Sequence, residues 1–384
     1  MSVLVVGAGI AAVATATALR DGGYDRPITL VGDEPEEPYD RPPLTKAFLR
    51  GEPVARLRPA GWYDGQDVTV RTGTAVSLDP DAGRVALADG TVLAADTVVL
   101  ATGARPITLP GALVVRTRAQ AEELRSRLRP GARLLVVGGG LIGAETAASA
   151  HELGCAVTIA DPDPLPLARA VGPQAAAFLA GQHAAAGVTV KAARLDTCAD
   201  GRAQLTDGTE LAADVILLGI GVRPETALAA SAGLPVDDGV LVDARMRTAH
   251  PRVYAVGDVA RIAGRRRVEH WDHAVRSAGV AARAILGRSP EPERAPWFWT
   301  DRYGRHLEMT GTYDPAAEAV ERGSIADGDG TVFFVHDGRC VGAVAVDRSL
   351  DIKAAQRIID RRVPVTAEFL ADEGNSLRSL VRPR

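Results

Sequence analysis

The sequence predicts an α/β fold in which one strand–helix–strand unit occurs twice. Segment 89–106 (DGTVLAADTVVLATGARP) and segment 207–224 (DGTELAADVILLGIGVRP) are identical at eleven of eighteen aligned positions. Upstream of each copy, an apolar run ends in a glycine-rich turn, as VLVVGAGIAA at 3–12 and LLVVGGGLIG at 134–143. Short continuous apolar runs are typical of strands buried on both faces of a parallel sheet. The chain therefore contains the same βαβ unit twice.

Length and composition limit what the protein can be. A chain of 384 residues predicts two or three domains, and 46% hydrophobic with 24% charged residues is typical of a globular protein. The net charge of −4 argues against a dedicated nucleic-acid binder. We expect no secretory signal, because the apolar run at 3–6 lacks a basic n-region and a cleavage site, and no apolar run approaches the roughly 18 residues of a membrane helix. Because Cys155, Cys198 and Cys340 form no Cys-x-x-Cys pair and cannot build a disulfide framework, we expect a cytoplasmic protein. From the charge and the apolar runs, we expect that it binds neither nucleic acid nor membrane.

The first copy has a strand at Val3 to Val6, a helix over 10–20 and a second strand at Ile28 to Val31. Between strand and helix, Gly7-x-Gly9-x-x-Ala12 allows a tight turn, close approach to a pyrophosphate, and close helix–strand packing. The helix N-terminus supplies free N–H groups for the phosphates. Asp33 follows the second strand, where a carboxylate can accept from ribose hydroxyls. The pattern predicts a dinucleotide site, with an ordinary glycine turn at a strand end as the alternative.

The second copy repeats this order with strand 134–137, helix 142–153 and strand 156–160. Its glycine pattern is complete, as Gly138-x-Gly140-x-x-Gly143, and Glu145 stands just inside the helix. Asp161 ends the next strand, where an acid favours the free 2′-hydroxyl of NADH and repels the 2′-phosphate of NADPH. We therefore predict an NADH site, while a surface aspartate that begins a turn is the alternative for Asp161.

Two dinucleotide sites in one chain indicate electron transfer from a nicotinamide to a flavin, which can then release electrons singly. The segment VYAVGDVA at 253–260 supports the flavin, because it leaves Asp258 at the tip of a strand. A third region with a different texture begins near Pro296, after the linker 287–296. It is predicted to contain strands at 331–335 and 341–346 and a helix near 351–361.

Taken together, these motifs resemble the FAD-dependent pyridine-nucleotide reductases that supply ferredoxins, the family of putidaredoxin reductase and biphenyl-dioxygenase ferredoxin reductase. The matching segments cover nearly the whole chain in family order: VGAGIAA at 6–12, LVGDEPEEPYDRPPLTK at 30–46, ATGARP at 101–106, VVGGGLIGAE at 136–145, GIGVRP at 219–224, VYAVGDVA at 253–260, VEHWDHA at 268–274 and WFWTDRYG at 297–304.

The resemblance implies two Rossmann-type dinucleotide-binding domains, with the NADH domain inserted into the FAD domain, and a C-terminal α+β reductase domain. The expected boundaries are 1–112 and 240–292 for the FAD domain, 113–239 for the NADH domain and 293–384 for the C-terminal domain. It also implies hydride transfer from NADH to FAD, followed by single-electron transfer to a [2Fe–2S] ferredoxin. That ferredoxin would serve a Rieske-type or haem-thiolate oxygenase, and the reductase would be a monomer or homodimer.

The resemblance also implies roles for individual residues. In such enzymes, the first glycine turn and Asp33 bind the ADP half of FAD, and Val76 contacts adenine. Arg116 approaches the pyrophosphate, Asp258 bonds the ribitol, and Trp271 offers its backbone to the flavin ring. The positions assigned to FAD are Gly7, Gly9, Ala11, Ala12, Asp33, Arg41, Lys46, Val76, Ala101, Thr102, Gly103, Arg116, Gly257, Asp258, Glu269, Trp271 and Trp299. Those assigned to NADH are Gly138, Gly140, Leu141, Ile142, Gly143, Glu145, Asp161, Gly219 and Gly221.

Lys46 stands out because the 44 basic residues include only three lysines, the others being Lys191 and Lys353. The resemblance implies that Lys46 lies beside flavin N5 and pairs with Glu145, so these two are the predicted catalytic residues. An ammonium there would stabilise electron density arriving on the ring. The alternatives are a solvated loop lysine and a first-turn acid that favours the helix dipole. For the aromatic residues at 297–299, the choice is between lining the flavin and sealing the core of the third domain.

Positions 40–50 contain no cysteine, so the dithiol chemistry of disulfide reductases on this scaffold is not available there. A flavin-dependent NADH oxidase or disulfide reductase is the enzyme alternative, and an apoptosis-inducing-factor-like NADH-binding flavoprotein is the alternative of another class. The segment 269–273 (EHWDH) could suggest a metal site, but it coincides with the flavin-proximal helix start of the family, and we predict no metal. The basic run 265–267 could steer an acidic ferredoxin.

Overall fold

The computed structural model of the chain describes residues 1–199 and 201–381. They form two compact units. The first unit comprises Met1–Asp40, Val54–Arg105 and Val222–Pro292, and the second comprises Arg41–Pro53, Pro106–Gly221 and Glu293–Arg384. The last three residues of the C-terminal domain predicted over 293–384 lie outside the described part of the chain. The predicted domain boundaries themselves stay a prediction.

The helices of the described residues are α1 (Ile10–Asp21), α2 (Trp62–Gly65), α3 (Arg118–Arg127), α4 (Leu141–Glu152), α5 (Ala168–Val171), α6 (Pro173–Ala185), α7 (Ala227–Ser231), α8 (Trp271–Ile285), α9 (Ser349–Asp360) and α10 (Ala367–Ala371). Short 3-10 helices lie at Pro42–Thr45, Gly257–Val259 and Leu377–Val381. Among residues 1–199 and 201–381, no helix combines the length and apolar character needed to cross a membrane.

The strands of the described residues are β1 (Val3–Val6), β2 (Ile28–Gly32), β3 (Val68–Thr72), β4 (Ala75–Asp79), β5 (Arg84–Leu87), β6 (Val92–Ala94), β7 (Thr97–Leu100), β8 (Ala104–Pro106), β9 (Arg133–Val137), β10 (Ala156–Ala160), β11 (Thr189–Lys191), β12 (Leu195–Ala199), β13 (Arg202–Leu205), β14 (Glu210–Ala212), β15 (Val215–Leu218), β16 (Val222–Pro224), β17 (Val240–Val242), β18 (Val253–Ala255), β19 (Ala260–Ile262), β20 (Trp297–Arg302), β21 (Arg305–Gly311), β22 (Glu318–Ser324), β23 (Asp329–His336) and β24 (Arg339–Val346).

The first unit is built on a parallel sheet with the strand order β18-β7-β1-β2-β3. All four residues of β1 are buried, as expected for a strand covered on both faces. Helix α1 carries the chain from β1 to its parallel neighbour β2 and packs against α8. Alanines on α1, with Ala12 and Ala16 fully buried, allow this close packing.

The second unit contains a parallel sheet of order β11-β10-β9-β15, in which α4 connects β9 to β10. It repeats the strand–crossover–strand unit of the first sheet, as the self-similar sequence segments predict. Strands β12, β13 and β14, which lie between β11 and β15 in the sequence, form a small antiparallel sheet.

The C-terminal part of the second unit is an antiparallel sheet of order β20-β21-β24-β23-β22. Phe333 and Phe334 are consecutive on β23, so their side chains point to opposite faces. Phe333 packs with Ile352 and Ile358 of α9, whereas Phe334 packs in a second core with Leu179 of α6. The prediction of an α/β fold with two Rossmann-type units and a C-terminal α+β region is confirmed.

Candidate cofactor and redox site

The first glycine turn lies between β1 and α1, in the first unit. Gly7 has a φ of +127°, and a Cβ there would lie 2.2 Å from the carbonyl oxygen of Ala101, so only glycine fits. A Cβ on Gly9 would meet nothing within 4 Å. Gly9 is also the N-cap of α1 and provides no side-chain cap, which leaves N–H groups of the first helical turn for a ligand. The turn therefore fits a pyrophosphate group.

Gly257 and Asp258 lie close to the start of α1 in the same unit. A Cβ on Gly257 would lie 2.8 Å from that of Ala11, and its N–H donates to Oγ of Ser277 at 2.9 Å. Asp258 follows in a 3-10 turn and is half-buried. Nη1 of Arg267 donates to the Asp258 carbonyl oxygen at 3.1 Å, and this hydrogen bond stabilises the turn. The fold thus brings the Asp258 turn near the first glycine turn.

The other first-unit positions predicted for FAD lie on the surface or at strand ends. Asp33 is exposed directly after β2, and Val76 is 54% exposed on β4. Ala101 and Ala12 are buried. Thr102 donates through Oγ1 to the carbonyl oxygen of Glu225 at 2.8 Å, which anchors the segment after β7. Asp33 and Val76 are therefore open to a ligand, while Thr102 has a structural bond.

Trp271 and Glu269 lie at the start of α8 in the first unit. Nε1 of Trp271 donates to Oδ1 of Asp40 at 3.0 Å. Glu269 pairs with Arg267 at 2.6 Å, and Arg267 also contacts Asp238 at 3.3 Å. Because the Arg267 side chain is only 6% exposed, it belongs to this ion-pair network rather than to a free basic rim. Of the run that the sequence offered for steering a ferredoxin, 265 and 266 remain exposed.

The second glycine turn lies between β9 and α4, in the second unit. Gly138 has a φ of +99°, and a Cβ there would lie 2.5 Å from the carbonyl oxygen of Gly219. A Cβ on Gly143 would lie 1.9 Å from the Gly138 carbonyl oxygen. At Gly140, in contrast, the nearest atom would be 4.0 Å away. This turn also leaves open space in front of a helix N-terminus, and Ile142 beside it is 42% exposed.

Asp161, directly after β10, is hydrogen-bonded to the second glycine turn. Its Oδ2 accepts from the backbone N–H of Gly139 at 2.7 Å, and its Oδ1 accepts from that of Asp163 at 2.8 Å. The carboxylate is therefore held beside the glycine turn in a defined orientation, which the sequence reasoning did not anticipate. A fixed negative charge at this point is suited to ribose hydroxyls and unfavourable for a phosphate.

Lys46 and Glu145 meet inside the second unit. Nζ of Lys46 lies 3.2 Å from Oε1 of Glu145, and the two side chains are only 11% and 5% exposed. Thr45 donates to Oε2 of Glu145 at 2.7 Å, and Thr300 donates to Oε1 at 2.8 Å. Burial raises the pKa of Glu145, against the opposing effect of the Lys46 charge. With two hydroxyls and an ammonium donating to it, the carboxyl is bound as a carboxylate.

Lys46 has a second carboxylate partner. Its Nζ lies 3.1 Å from Oδ2 of Asp301, whose Oδ1 lies 2.5 Å from Nδ1 of His306. Burial alone would raise the pKa of Asp301, but the hydrogen bond from His306 and the Lys46 charge outweigh it and lower that pKa. The same hydrogen bond, with one to Glu308, raises the pKa of His306 to about 9. Sequence reasoning missed Asp301, His306 and both threonines.

Trp299 lies on β20, and its ring is close to Lys46. Its ring stacks on that of Trp297 with 4.8 Å between centroids, and Lys46 Nζ lies 5.5 Å from the Trp299 centroid. Both rings are half-buried, and Trp297 packs against the core that contains Phe333 and the apolar side chains of α9. A cation near the face of an indole is attracted by its π system.

Arg302 and His183 form a buried polar pair in the second unit. Nη1 of Arg302 donates to Nε2 of His183 at 3.1 Å, and Nδ1 of His183 lies 2.7 Å from the hydroxyl of Tyr303. Burial, reinforced by the Arg302 charge, lowers the pKa of His183 to about 3. The ring is therefore neutral and presents an unprotonated Nε2 to the guanidinium.

Arg41 and Arg116 are two further positions predicted for FAD, and both belong to the second unit. Arg41 is the N-cap of the 3-10 helix Pro42–Thr45 that leads to Lys46. Arg116 precedes α3, and its backbone N–H donates to Oε1 of Gln120 at 2.9 Å. Gln120 also completes a capping box with Thr117, so the segment that carries Arg116 is well defined.

Comparison with known proteins agrees with this arrangement. Residues 1–278 match the family model for pyridine nucleotide-disulphide oxidoreductases, and residues 297–381 match the model described as reductase C-terminal. The benzene 1,2-dioxygenase system ferredoxin–NAD(+) reductase subunit of Pseudomonas putida is 38% identical over 399 residues, covering 99% of this chain and 97% of that protein. The anthranilate 1,2-dioxygenase system ferredoxin–NAD(+) reductase component of Burkholderia cepacia is 41% identical over 400 residues, covering 98% of each.

A solved structure is similar over the same span. The reductase chain of a covalent putidaredoxin reductase–putidaredoxin complex matches with a TM-score of 0.92 at 34% identity, covering 99% of this chain and 98% of that chain. Enzymes of this family use FAD and NAD(H), and the open glycine turns at Gly9 and Gly140 fit the pyrophosphates of two such groups. The chain therefore belongs to the pyridine nucleotide-disulphide oxidoreductase family and, within it, to the ferredoxin–NAD(+) reductases.

Proposed function

We propose that this protein oxidises NADH with a bound FAD and passes the electrons one at a time to a [2Fe–2S] ferredoxin. The ferredoxin would serve an oxygenase, of either the Rieske or the haem-thiolate type. The observation that carries the proposal is the combination of two open glycine turns with a buried Lys46–Glu145 pair in a chain whose relatives are named as reductase components of oxygenase systems.

In this proposal, the first unit binds the ADP part of FAD. The N–H groups at the start of α1, beyond Gly9, donate to the pyrophosphate. Asp33 accepts from the ribose hydroxyls, and the exposed Val76 covers adenine. Asp258 accepts from the ribitol chain.

The second unit binds NADH by the same physical means. The N–H groups at the start of α4 lie beyond the open Gly140 and donate to the pyrophosphate. Asp161 accepts from the adenosine ribose and disfavours the 2′-phosphate of NADPH. Its bond from the Gly139 N–H keeps the carboxylate at the turn.

Lys46 supplies positive charge at the reacting centre. A bound flavin accepts a hydride from a nicotinamide and can release the electrons singly, which is the chemistry that this cofactor contributes. The Lys46 ammonium, held by Glu145, would stabilise negative charge that arrives on such a ring.

Thiol chemistry has little support in this chain. Burial raises the pKa of Cys155, and it raises the pKa of Cys340 to about 12, so neither is an activated thiolate. The segment around Lys46 contains no cysteine. We also propose a location in the reducing cytoplasm, which the three free thiols support.

The function is tested with the purified protein. It should be yellow, lose its flavin colour anaerobically on addition of NADH, and then reduce a [2Fe–2S] ferredoxin rapidly. NADPH serves as the control donor and should be much less effective. A colourless protein, or a flavin that NADH does not bleach, would contradict the proposal.

The acceptor decides between the proposal and its alternatives. Faster turnover with oxygen or a disulfide than with any of a panel of ferredoxins would indicate an NADH oxidase or disulfide reductase. Reduced flavin that persists for many minutes in air, with no ferredoxin reduction, would indicate a signalling flavoprotein of the apoptosis-inducing-factor type.

A further inference from the structure

The contacts of Lys46 continue beyond Glu145 into a chain of alternating charges. Glu145 pairs with Lys46 at 3.2 Å, Lys46 with Asp301 at 3.1 Å, and Asp301 with His306 at 2.5 Å. Nε2 of His306 then lies 3.5 Å from Oε2 of Glu308. All five residues belong to the second unit. Side-chain exposure rises from 5% for Glu145 to 43% for Asp301 and 38% for His306, and it falls to 7% for Glu308, so this series of charges reaches solvent at Asp301 and His306.

The backbone fixes the outer part of this chain. Asp301 on β20 and His306 on β21 are directly opposite each other in the antiparallel pair, as are Trp299 and Glu308. Directly opposed side chains in such a pair have Cβ atoms about 5 Å apart, which suits an aspartate–imidazole contact. Nε1 of Trp297 donates to Oε1 of Glu308 at 3.0 Å, so Glu308 is held against the sheet.

We propose that His306 is a positioning residue that acts through Asp301 to set the place and the effective charge of Lys46, and thereby makes the redox potential of the bound flavin depend on pH. The role in the redox potential rests on the proposed function, because it requires a flavin beside Lys46. The coupling between His306 and Lys46 does not require one.

The physical reason is competition for the Asp301 carboxylate. While the His306 ring is protonated, Asp301 has two cationic partners and Lys46 is shared between Asp301 and Glu145. When the ring becomes neutral, Lys46 is the one full cation among the described residues that contacts Asp301, so Asp301 attracts it more strongly. The surroundings of Lys46 also gain one unit of negative charge, which disfavours a further negative charge on a reduced ring.

The groups that face His306 on each packed element support a protonated ring at neutral pH. Asp301 on β20 and Glu308 on its own strand raise its pKa to about 9, against partial burial. Asp347, after β24, accepts from the His306 backbone N–H at 2.9 Å and pairs with Arg305. Helix α9 packs against β21, and its Ser349 helps to lower the pKa of Glu308. The pH range of the effect therefore lies near 9, with Lys46 drawn toward Asp301 above it.

The experiment uses the purified protein with its flavin and compares His306→Gln, which removes the charge, with His306→Lys, which keeps a cation. His336→Gln is the matched control, because His336 pairs with Asp314 elsewhere on the same sheet, at 2.9 Å. At neutral pH, the flavin midpoint potential should shift to more negative values in His306→Gln and stay near the wild-type value in the other two variants. The wild-type potential should show an additional fall as the pH rises through about 9, and His306→Gln should lack it.

A second readout does not depend on flavin. The chain has only three lysines, so protein labelled with ¹⁵N-lysine shows three Nζ resonances, and Lys46→Met identifies one of them. The Lys46 resonance should shift with a midpoint near pH 9 in the wild type and the His336→Gln control, and not in His306→Gln. The proposal would be overturned if the Lys46 resonance of the wild type did not shift in this pH range, or if it shifted equally in His306→Gln. If the protein proves to lack flavin, the proposed function fails, while these resonances still decide whether His306 acts on Lys46.

Discussion

The ammonium of Lys46 lies 3.2 Å from the buried carboxylate of Glu145, and two threonine hydroxyls complete the coordination of that carboxylate. One partner comes from the segment after the 3-10 helix Pro42–Thr45 and the other from α4, just behind the second glycine turn. Lys46 is thus paired with a residue of α4, the helix whose N-terminus is proposed to bind NADH. Five predictions test the site and its support.

Removal of Glu145 should destabilise the protein. Glu145→Ala leaves Lys46 buried with only Asp301 as a counter-ion and leaves two hydroxyls without their acceptor, so we expect a loss of about 3 kcal/mol in the free energy of unfolding. Glu152→Ala is the matched control on the same helix, because Glu152 pairs with Arg50 at 3.4 Å near the surface, and it should cost below about 1 kcal/mol. Urea unfolding of both variants measures the difference. Equal losses would mean that burial of the Lys46–Glu145 pair has no particular weight.

Lys46→Met should slow the reduction of the flavin by NADH by about a hundredfold, because a charge aimed at the developing negative ring is lost. The dissociation constant for NADH should change little. Stopped-flow absorbance at increasing NADH concentration separates the two quantities. Lys353→Met, at an exposed position of α9, should behave as the wild type. Reduction at the wild-type rate in Lys46→Met would mean that the Lys46 charge has no part in the reduction of the flavin.

The first glycine turn should separate folding from cofactor binding. Gly9→Ala adds a methyl group to open space at a backbone conformation that alanine adopts, so the fold should persist while flavin is lost more readily on dialysis. Gly7→Ala requires a strained φ and a contact of 2.2 Å with a carbonyl oxygen, so it should lower stability by at least about 2 kcal/mol. Thermal melts and flavin content measure both effects. Unchanged flavin retention in Gly9→Ala would argue against a pyrophosphate at that turn.

Asp161→Ala should relax the preference for NADH. The substitution removes a fixed carboxylate that is proposed to repel a 2′-phosphate, so kcat/KM for NADPH should rise about tenfold while that for NADH falls. Asp163→Ala is the neighbouring control, since Asp163 accepts from the Leu165 N–H at 3.0 Å and supports the same loop. A similar change in both variants would indicate that the loop conformation, and not the Asp161 charge, sets the preference.

His183 should make the protein sensitive to acid. Its folded-state pKa of about 3 lies below the usual 6.5, because burial and Arg302 oppose the charged ring. Between these values the unfolded chain binds a proton that the folded chain does not, so stability falls as the pH drops below about 6.5, by at most about 1.4 kcal/mol per pH unit. His183→Gln keeps an acceptor for Arg302 and should flatten this slope. His250→Gln, whose partner Asp81 is on the surface, should not, and equal slopes in all three proteins would contradict the prediction.

Much of the fold could be predicted from the sequence because it depends on local patterns. The apolar runs before Gly7 and Gly138 and the glycine spacing after them indicate βαβ units without any knowledge of the rest of the chain. The position of Lys46 beside Glu145 came from the family resemblance, since nothing near Lys46 in the sequence points to a helix so far along the chain.

Asp301 and His306 were missed, although a local signal for them exists. Tyr303 and Gly304 both have positive φ, at 52° and 71°, and form a two-residue turn between β20 and β21. Such a turn places the residues on either side of it opposite each other in register. Recognising the Tyr-Gly turn in the sequence would have placed Asp301 across from His306, but not beside Lys46.

The two glycine turns, and the order of the strands and helices around them, follow from the sequence alone. Apolar periodicity and glycine spacing act within a few residues, so they can be recognised without a structure. The three-dimensional fold was needed to show that Lys46 has two carboxylate partners, that Asp161 is hydrogen-bonded to its own glycine turn, and that Arg267 forms ion pairs. Those facts depend on which side chains burial and strand register bring together, because a charge taken out of water must find a partner wherever the fold provides one.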